Sequence, residues 1–335
     1  MTMHPILLIG GSGMVGCFAA RFLRDANPDA PILIGGRDLA KARAVASELG
    51  NAESVVIDFS APNLGLEDRP VSAVALFCAD PSLAALRYAQ RHEIPHLGIS
   101  TALHAIAPEV AAFMSKPRAT TMVLGTEWLV GAAIIPAIKI AEEFSGVDEI
   151  RIGALIDEQD TGGPEQSLDH ERAMMAPPPV LCRRNGAYTW ASAEGEVRPF
   201  QSADGTVIEG FPISLVDILG LTNEIGASDV HLHLGVGESS SRRRGEEVST
   251  EIIIEMDGTS EDGKPLRTRH AVIFPGGQLP LTGLGAAMVI ERLVGLNGQM
   301  PCSPGLYFPY QLLDHDGYLA RLVKAGGSIL KLDAL

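Results

Sequence analysis

A glycine-rich loop between a strand and a helix constrains the fold of this chain more than any other feature of its sequence. The loop Gly11-Ser12-Gly13-Met14-Val15-Gly16 follows the apolar run Ile6–Ile9 and leads into an amphipathic run that continues to Asp25. A second apolar run, Pro31–Ile34, comes next. Strand, glycine loop, helix and strand in this order are typical of the first unit of a dinucleotide-binding sheet.

The residue types in this loop suit the binding of a pyrophosphate. Glycine lets the chain turn tightly and lets a phosphate touch the backbone, and Gly16 allows the helix to pack closely on the strand. The N-terminus of the helix presents free N–H groups and the positive end of its dipole. The alternative is a glycine turn that binds nothing. The predicted cofactor contacts in the loop are Gly10, Gly11, Ser12, Gly13, Met14 and Val15.

The end of the second apolar run indicates which nicotinamide cofactor is bound. A site specific for NAD normally holds a carboxylate here, which accepts hydrogen bonds from the ribose hydroxyls. Gly35 and Gly36 occupy this place, and Arg37 follows them. An arginine can bind a 2′-phosphate with two hydrogen bonds or stack on adenine, so the sequence favours NADP. Asp38 could reach the ribose, or it could cap the helix that begins at Leu39.

Short apolar runs alternate with longer helical ones over the first 130 residues, as they do in parallel βαβ units. The strand candidates are Ile6–Ile9, Pro31–Ile34, Ser54–Ile57, Ala73–Phe77, His96–Ile99 and Thr121–Leu124. A sheet of this size is that of a doubly wound, Rossmann-type domain.

The pattern changes after Gly125. Further strand candidates are Glu149–Ile156, Val230–Val236, Thr250–Glu255 and Arg267–Phe274. The last three are typical of antiparallel strands, with turn signals at Asp257-Gly258 and Asp262-Gly263.

These patterns predict an α/β protein of two domains. Residues 1–130 and 279–335 are expected to form the Rossmann-type, doubly wound parallel sheet with its helices. Residues 131–278 are expected to form an inserted mixed α/β domain with a largely antiparallel sheet. The helix candidates Leu284–Val294 and Gly317–Lys324 should return to pack on the first domain.

Charge and cysteine content limit the partners and the compartment. The net charge of the 335 residues is −15, which disfavours nucleic acid as the main partner because its phosphates are repelled. A small metabolite is the expected partner. The four cysteines are widely separated and include no C-x-x-C pair, which fits reduced thiols in a cytoplasm. Signal-peptide and membrane-helix patterns are absent, so a soluble cytoplasmic protein is predicted.

Several segments resemble the saccharopine dehydrogenase (saccharopine reductase) family. The N-terminal strand and loop, Ile6 to Gly16, and the segment Ile34-Gly35-Gly36-Arg37-Asp38 are similar to its NADP-binding domain. Phe77-Cys78-Ala79-Asp80-Pro81 stands where that family has a strand-end motif facing the nicotinamide. Thr282-Gly283 and Gly305-Leu306-Tyr307-Phe308-Pro309 are similar to its C-terminal return segment.

The resemblance implies a Rossmann domain, an inserted mixed-sheet domain that often dimerises, and hydride transfer at a carbon–nitrogen centre of an amino acid or imine. It is specific near both ends of the chain and loose in the middle, which should select the substrate. It supplies no invariant catalytic residue. Cys78 and Ala79, at the end of the fourth strand candidate, and Asp58, after the third, complete the predicted cofactor contacts.

Side chains at the carboxyl ends of the predicted parallel strands are the first candidates for chemistry, because ligands of open sheets bind there. Hydride transfer to an imine needs a proton donor and a charged clamp, while the nicotinamide carries out the difficult step. Asp80 and Glu127 could hold or relay the proton. Each could instead cap a helix, since Asp80 precedes Pro81 at a helix start and Glu127 lies just before another helix.

A polar stretch in the second domain offers further candidates. Its members are Asp157, Asp160, Thr161-Gly162-Gly163, His170, Glu171 and Arg172. Histidine has an unperturbed pKa suited to acid–base work near neutrality, which makes His170 the third catalytic candidate. Arg172 could bind a substrate carboxylate. The alternative is a solvated loop and helix face.

Other features carry weaker hypotheses. The run Ser239-Ser240-Ser241-Arg242-Arg243-Arg244 could recruit an anionic substrate or form a hairpin tip in solvent. His231 and His233 alternate on one strand and are expected on the sheet surface. No H-E-x-x-H motif or cysteine cluster is present, so no catalytic metal is predicted. No tyrosine is followed four residues later by lysine, which disfavours the short-chain dehydrogenases.

The sequence therefore predicts an NADP-dependent oxidoreductase that acts on a C–N or C=N bond of a small amino acid, imine or opine-like compound. Two alternatives stay open: reduction of a C=O or C=C bond with the same cofactor, and an NADP-binding redox sensor that catalyses nothing. A strand-rich second domain argues against a pure sensor. We expect a homodimer formed through the sheet of that domain.

Overall fold

A computed structural model of the chain describes residues 3–99, 106–162, 179–296 and 298–334. The chain divides into two compact units, each built from two separate segments. The first unit consists of Met1–Thr126 and Thr282–Leu313, and the second of Glu127–Leu281 and Asp314–Leu335. No helix in the described ranges is both long and apolar enough to cross a membrane.

Strands account for much of both units. Those of the first half are β1 Ile6–Ile9, β2 Ile32–Gly36, β3 Ala52–Val56, β4 Ala73–Leu76, β5 His96–Ile99, β6 Thr121–Gly125 and β7 Phe144–Asp157. Those that follow are β8 Val180–Arg184, β9 Ala187–Ala191, β10 Phe200–Gln201, β11 Val207–Ile208, β12 Phe211–Pro212, β13 Asp229–Gly237, β14 Ser249–Ser260, β15 Pro265–Pro275, β16 Gly305–Tyr307 and β17 Ser328–Leu332.

The helices connect these strands and cover the sheets. They are α1 Met14–Ala26, α2 Leu39–Leu49, α3 Ala84–His92, α4 Ala107–Ser115, α5 Ile134–Ala141, α6 Asp217–Ile225, α7 Ser240–Arg243, α8 Gln278–Val294, α9 Pro309–Leu312 and α10 His315–Lys324. Short 3-10 helices lie at Pro62–Gly65 and Ala193–Glu196.

The first unit contains a parallel sheet with the strand order β16-β6-β5-β4-β1-β2-β3. This order confirms the predicted Rossmann-type, doubly wound fold. All residues of β1 and β4 are buried, as expected for central strands with helices on both faces. The seventh strand, β16, was not predicted, because three residues are too few to give a hydrophobic pattern.

The second unit contains a mixed sheet with the strand order β17-β15-β14-β7-β13-β8-β9, and β12 pairs with β13. Neighbouring strands are antiparallel except for β7 and β13, which run parallel over Asp157 and the eight residues before it. This sheet confirms the predicted second, mixed α/β layer. A small ladder of β10 and β11 lies outside it.

One of the two predicted turns is wrong. Asp257-Gly258 lies inside β14, where the pairing with β7 shifts register. A Cβ on Gly258 would meet the backbone of Val147 at 2.9 Å, so glycine is needed there for close strand pairing. Asp262-Gly263 does form the turn between β14 and β15, with Gly263 at a φ of +79°.

The predicted extension of the first domain to residue 335 is also wrong. The last strand, β17, pairs with β15 of the second sheet, from Ser328 opposite Ile273 to Leu332 opposite Arg269. The helix before it, α10, contributes Asp316, which forms an ion pair of 3.1 Å with Lys139 on α5. The physical reason is that β15 would otherwise be an open sheet edge, which the end of the chain covers.

Candidate cofactor site

The loop between β1 and α1 leaves backbone N–H groups free for a ligand. Within the loop, the Gly13 N–H donates to the carbonyl of Gly10 at 2.8 Å. The N–H groups of Ser12, Met14 and Val15 donate to no acceptor in the described part of the chain. These groups stand at the first turn of α1, where the helix dipole favours an anion.

Two glycines of the loop leave no room for a side chain. A Cβ on Gly11 would lie 2.9 Å from the carbonyl oxygen of Leu8, and one on Gly16 would lie 2.8 Å from the Cα of Gly11. Gly10 has a φ of +77°, in the left-handed region that favours glycine. The close packing of α1 on β1 therefore requires glycine. A phosphate could approach this backbone directly.

The end of β2 has open space where an NAD-specific site would hold a carboxylate. A Cβ on Gly36 would face the loop, with the hydroxyl oxygen of Ser12 3.6 Å away. A Cβ on Gly35 would instead lie 2.8 Å from Ile57 in the core. Gly36 is thus the position from which an acidic side chain would reach a bound nucleotide, and it carries none.

Arg37 and Asp38 follow this open position and differ in their contacts. Arg37 is exposed and has no hydrogen bond or ion pair with any described residue. Asp38 caps α2, because its Oδ1 accepts hydrogen bonds from the N–H groups of Ala40 at 3.0 Å and Lys41 at 3.1 Å. The helix-cap interpretation of Asp38 is therefore confirmed.

Three other predicted cofactor contacts follow the ends of β3 and β4. Asp58 is exposed, and the hydroxyl and N–H of Ser60 donate to its Oδ1 at 2.6 and 2.8 Å, which lowers its pKa. Cys78 is half-buried and Ala79 is exposed, and both directly follow Phe77, whose N–H donates to the carbonyl of Ile9 at the end of β1. A contact between these residues and a cofactor stays a prediction.

The first catalytic candidate, Asp80, accepts a hydrogen bond from the first turn of a helix. Its Oδ2 accepts a hydrogen bond from the Ala85 N–H at 2.8 Å, and its Oδ1 accepts one from the Ser82 hydroxyl at 2.5 Å. These bonds fix the segment that joins the end of β4 to the start of α3. Asp80 therefore satisfies one N–H of the first turn of α3, although Leu83 stands at the N-cap position, and the catalytic role of Asp80 stays a prediction.

A buried histidine and a half-buried glutamate of the first unit were not predicted from the sequence. His96 on β5 is fully buried, and neither ring nitrogen has a hydrogen-bond partner among the described residues. Its Cε1 and the Oε1 of Glu109 lie 3.3 and 3.1 Å from the place that a Cβ on Gly98 would take. Burial lowers the pKa of His96 to about 4 and raises that of Glu109 to about 7. His96 and Gly98 lie two residues apart in an otherwise apolar strand, and this pattern could have indicated a buried polar group.

Glu127, the second catalytic candidate, lies in the second unit among other buried polar groups. It is 4% exposed, and its charge adds to burial in raising the pKa of Tyr318. Asp217, which is fully buried, accepts a hydrogen bond from the Trp128 N–H at 2.9 Å. Burial raises the pKa of Asp217 to about 7. Asp217 and Tyr318 were not predicted, because helix packing, rather than spacing along the chain, brings them near Trp128 and Glu127.

The polar stretch that follows β7 is described only at its start. His170, Glu171 and Arg172 lie outside the described residues, so their proposed roles stay predictions. Asp160 is described, and its Oδ2 accepts a hydrogen bond from the Gln278 N–H at 2.7 Å, which caps α8. In the ranges that the structure covers, no group of three or more His, Cys, Asp or Glu side chains could hold a metal ion.

The basic run Ser239–Arg244 is paired with carboxylates of the same unit. Arg242 is 14% exposed and lies 3.3 Å from Asp157, whose other oxygen accepts the Ser239 N–H. Arg243 contacts Asp204 at 2.7 Å. Ser239 caps α7 and is fully buried. The expected hairpin tip in solvent is therefore wrong. The arginines considered for recruitment of an anionic substrate form ion pairs with these carboxylates instead.

The expectation that two histidines lie on the sheet surface is also wrong. His231 and His233 are 5% and 6% exposed. The Nε2 of His233 is 3.0 Å from the carbonyl oxygen of Glu196, in the segment that covers this part of β13. Burial lowers the pKa of both histidines.

The fold with this loop and sheet is shared with solved structures of dehydrogenases and related enzymes. Saccharopine dehydrogenase (L-Glu forming) from Saccharomyces cerevisiae matches with a TM-score of 0.65 and 15% identity, over 98% of this chain and 100% of that chain. Homospermidine synthase from Legionella pneumophila, in complex with NAD, matches with a TM-score of 0.63 and 13% identity, over 99% and 92%. Myo-inositol 2-dehydrogenase from Lactobacillus plantarum gives a TM-score of 0.52 and 10% identity, over 99% and 100%.

The chain therefore has the fold of saccharopine dehydrogenase, as its motifs led us to expect. At such low identities the likeness establishes the fold alone. No protein-family model and no curated protein sequence matches the chain.

Proposed function

We propose that the chain is an NADP-dependent oxidoreductase that transfers a hydride at a C–N or C=N bond of a small amino acid, imine or opine-like compound. The choice of NADP rests on the structure at the end of β2. There, Gly36 leaves open space beside Ser12, and Arg37 has no partner among the described residues. The shared fold with a homospermidine synthase in complex with NAD supports a nicotinamide cofactor.

The chain supplies separate groups for each phosphate of the cofactor. The N–H groups of Ser12, Met14 and Val15 would hold the pyrophosphate. The guanidinium of Arg37 would bind the 2′-phosphate, with both of its N–H edges available. Asp38 is held in its capping contact with α2 and would not compete for that guanidinium.

The bound nicotinamide supplies the hydride chemistry. The residues of the chain must orient the substrate, exclude water and hold the proton that nitrogen gains or loses. Asp80 and Glu127 follow the ends of β4 and β6 along the chain. They are the proposed general acid–base groups that hold this proton. The resemblance to the saccharopine dehydrogenase family is the reason for proposing a carbon–nitrogen centre.

The cofactor proposal is tested with Arg37→Ala. We expect the Kd for NADPH to rise at least about tenfold, because a charged contact to the 2′-phosphate is lost, while the Kd for NADH stays nearly constant. Fluorescence of the reduced nicotinamide measures both constants. Arg43→Ala, which changes an exposed arginine on α2, is the matched control. Equal losses for NADPH and NADH would contradict the assignment.

The reaction is tested with two substrate panels. NADP is mixed with amino acids and amines, and NADPH with imines, oxo acids and enones, while absorbance of the reduced nicotinamide is followed. Turnover of amines or imines is the expected result. Turnover confined to enones or carbonyls would replace the C–N reaction by the alternative reductase. Tight NADPH binding without turnover across both panels would favour the sensor.

A homodimer through the sheet of the second unit is also proposed, on the ground that the family resemblance implies one. Sedimentation equilibrium of the whole chain would measure the oligomeric state. A monomer at micromolar concentration would contradict this part of the proposal.

A further inference from the structure

The chain passes through a left-handed turn between β6 and α5. Leu129, Val130 and Gly131 have φ values of +50°, +57° and +93°. Left-handed backbone is unfavourable for residues with a Cβ, and most of all for a β-branched valine. Leu129 and Val130 are only 8% and 1% exposed. Strained backbone of this kind persists only where its surroundings fix it.

A carboxyl from a distant helix contributes to fixing this turn. Asp217, the first residue of α6, is fully buried, and its Oδ2 accepts a hydrogen bond from the Trp128 N–H at 2.9 Å. Its Oδ1 has no hydrogen-bond partner in the described ranges. Within the turn, the carbonyls of Glu127 and Trp128 accept hydrogen bonds from Val130 and Ala132, both at 3.1 Å. Asp217 thus holds the residue that stands between Glu127 and the strained backbone.

Glu127 is confined by the same turn. Its Oε2 lies 3.4 Å from the place that a Cβ on Gly131 would take, so the turn packs directly on the carboxylate. Tyr318 on α10 is fully buried, and the charge of Glu127 acts on its pKa. A shift of the turn would therefore move the Glu127 carboxylate within a crowded interior.

We propose that Asp217 is a positioning residue, which fixes the left-handed turn through the Trp128 N–H and thereby sets the place of the Glu127 carboxyl. The inference rests on the proposed function, in which Glu127 holds the proton of the reaction. All of these residues belong to the second unit.

The charge of Asp217 gives the inference a measurable signature. Burial raises the pKa of Asp217 to about 7, against the effect of the hydrogen bonds from Trp128 and from its own N–H. The pKa in the folded chain lies above the ordinary value. The contribution of this group to stability is therefore fully present at acid pH and is lost as the pH rises through about 7. Ionisation strengthens the hydrogen bond from Trp128 but buries a charge, so the folded chain should lose stability as the pH rises through about 7.

Neighbouring charges do not produce this shift. The elements packed against α6 are α5, β8 and β13. Their charged or titratable residues are Lys139, Cys182, Arg183, Arg184, Asp229, His231 and His233. None of these residues contributes to the pKa of Asp217. Because Glu127, the residue before Trp128, is also a buried carboxyl, the Asp217→Asn variant is needed to assign a titration near neutral pH to Asp217.

Trp128 provides a readout that needs no turnover. The chain has two tryptophans, and the other, Trp190, is 61% exposed. In a Trp190→Phe chain, fluorescence reports on the residue whose N–H Asp217 accepts. We expect the emission to change with a midpoint near pH 7. Asp217→Asn, which keeps an oxygen acceptor without the charge, should abolish this change. Emission that is constant from about pH 5 to 9, or a titration that persists in Asp217→Asn, would overturn the inference.

Kinetics separate positioning from mere stability. Asp217→Ala removes the acceptor, so kcat should fall at least about tenfold while the KM for NADPH stays constant. Asp217→Asn, which keeps an oxygen acceptor for the Trp128 N–H, should keep the parent kcat at neutral pH. Thr222→Val changes another buried polar side chain of α6 and is the control. An unchanged kcat in Asp217→Ala would overturn the inference.

The inference about Asp217 can be tested even if one variant does not fold or the proposed function fails. If Asp217→Ala does not fold, Asp217→Asn and the fluorescence titration decide the matter. If the chain neither binds NADPH nor turns over any substrate, the proposed function fails, and the fluorescence titration still decides whether Asp217 fixes the turn.

Discussion

The arginines of the two units differ in what lies beside them. In the first unit, Arg37 is exposed, has no partner in the part of the chain that is described, and follows a position without a side chain. In the second unit, Arg242 and Arg243 contact Asp157 and Asp204 at 3.3 and 2.7 Å. The densest basic run of the chain is thus an internal ion-pair cluster. A single exposed arginine without a partner among the described residues is the better candidate for binding an anion.

Gly16→Ala should have the largest effect, on both stability and cofactor binding. It disrupts the loop that is proposed to hold the pyrophosphate of the cofactor that Arg37 binds. The new Cβ would overlap the carbonyl oxygen of Gly10 and lie 2.8 Å from the Cα of Gly11, so α1 must move away from β1. Overpacking of this kind costs about 3 kcal/mol. Urea unfolding measures this loss, and nicotinamide fluorescence should show that NADPH and NADH binding are both lost.

Gly36→Ala is the control for that substitution. Its Cβ would meet the Ser12 hydroxyl oxygen at 3.6 Å, an ordinary contact, so the free energy of unfolding should change little. A Gly16→Ala chain that unfolds and binds cofactor like the parent would show that the loop is not the binding site.

Arg242→Ala should have the next largest effect, on stability alone. Asp157 is 1% exposed and would lose its cationic neighbour, and removal of one partner from a buried pair is destabilising. The urea midpoint should fall, while the Kd for NADPH stays constant. Arg244→Ala is the control, since Arg244 pairs with Glu246 at the surface and such pairs contribute little. Weaker NADPH binding in Arg242→Ala at unchanged stability would break the comparison.

The two units also differ in how far their sequences predict them. The cofactor loop could be read from the sequence because β1, the glycines and α1 are adjacent, and steric limits at Gly11 and Gly16 act within a few residues. The open position at Gly36 follows from the same local pattern. Local chemistry therefore predicted the part of the first unit that is proposed to bind the cofactor.

The buried titratable groups could not be predicted in this way. Glu109 and His96 come to lie on either side of Gly98 only after α4 packs on β5, and Asp217 meets Trp128 only after α6 packs in the second unit. Each contact joins elements that are far apart in sequence, and hydrophobic periodicity carries no information on which polar groups they bring together.

The end of the chain shows the same limit. The sequence pattern of α10 predicts a helix correctly, but it does not indicate which of the two sheets this end of the chain packs against. That choice depends on the free edge of β15, which the pairing of Ile273 with Ser328 and of Arg269 with Leu332 satisfies. Edge pairing is a property of the assembled sheet, so the domain assignment of residues 314–335 was wrong.

Gly36→Asp should have the smallest effect and should sharpen the role of Arg37. The added carboxylate would face the loop near Ser12, where it can accept hydrogen bonds from ribose hydroxyls and repel a 2′-phosphate. We expect the Kd ratio of NADPH to NADH to rise about tenfold, or about 1.4 kcal/mol, with unchanged stability. Gly36→Asn has the same shape without the charge and should change the ratio less. If Asp and Asn at this position gave equal ratios, charge at the end of β2 would not select the cofactor, and Arg37 would lose its proposed role in that selection.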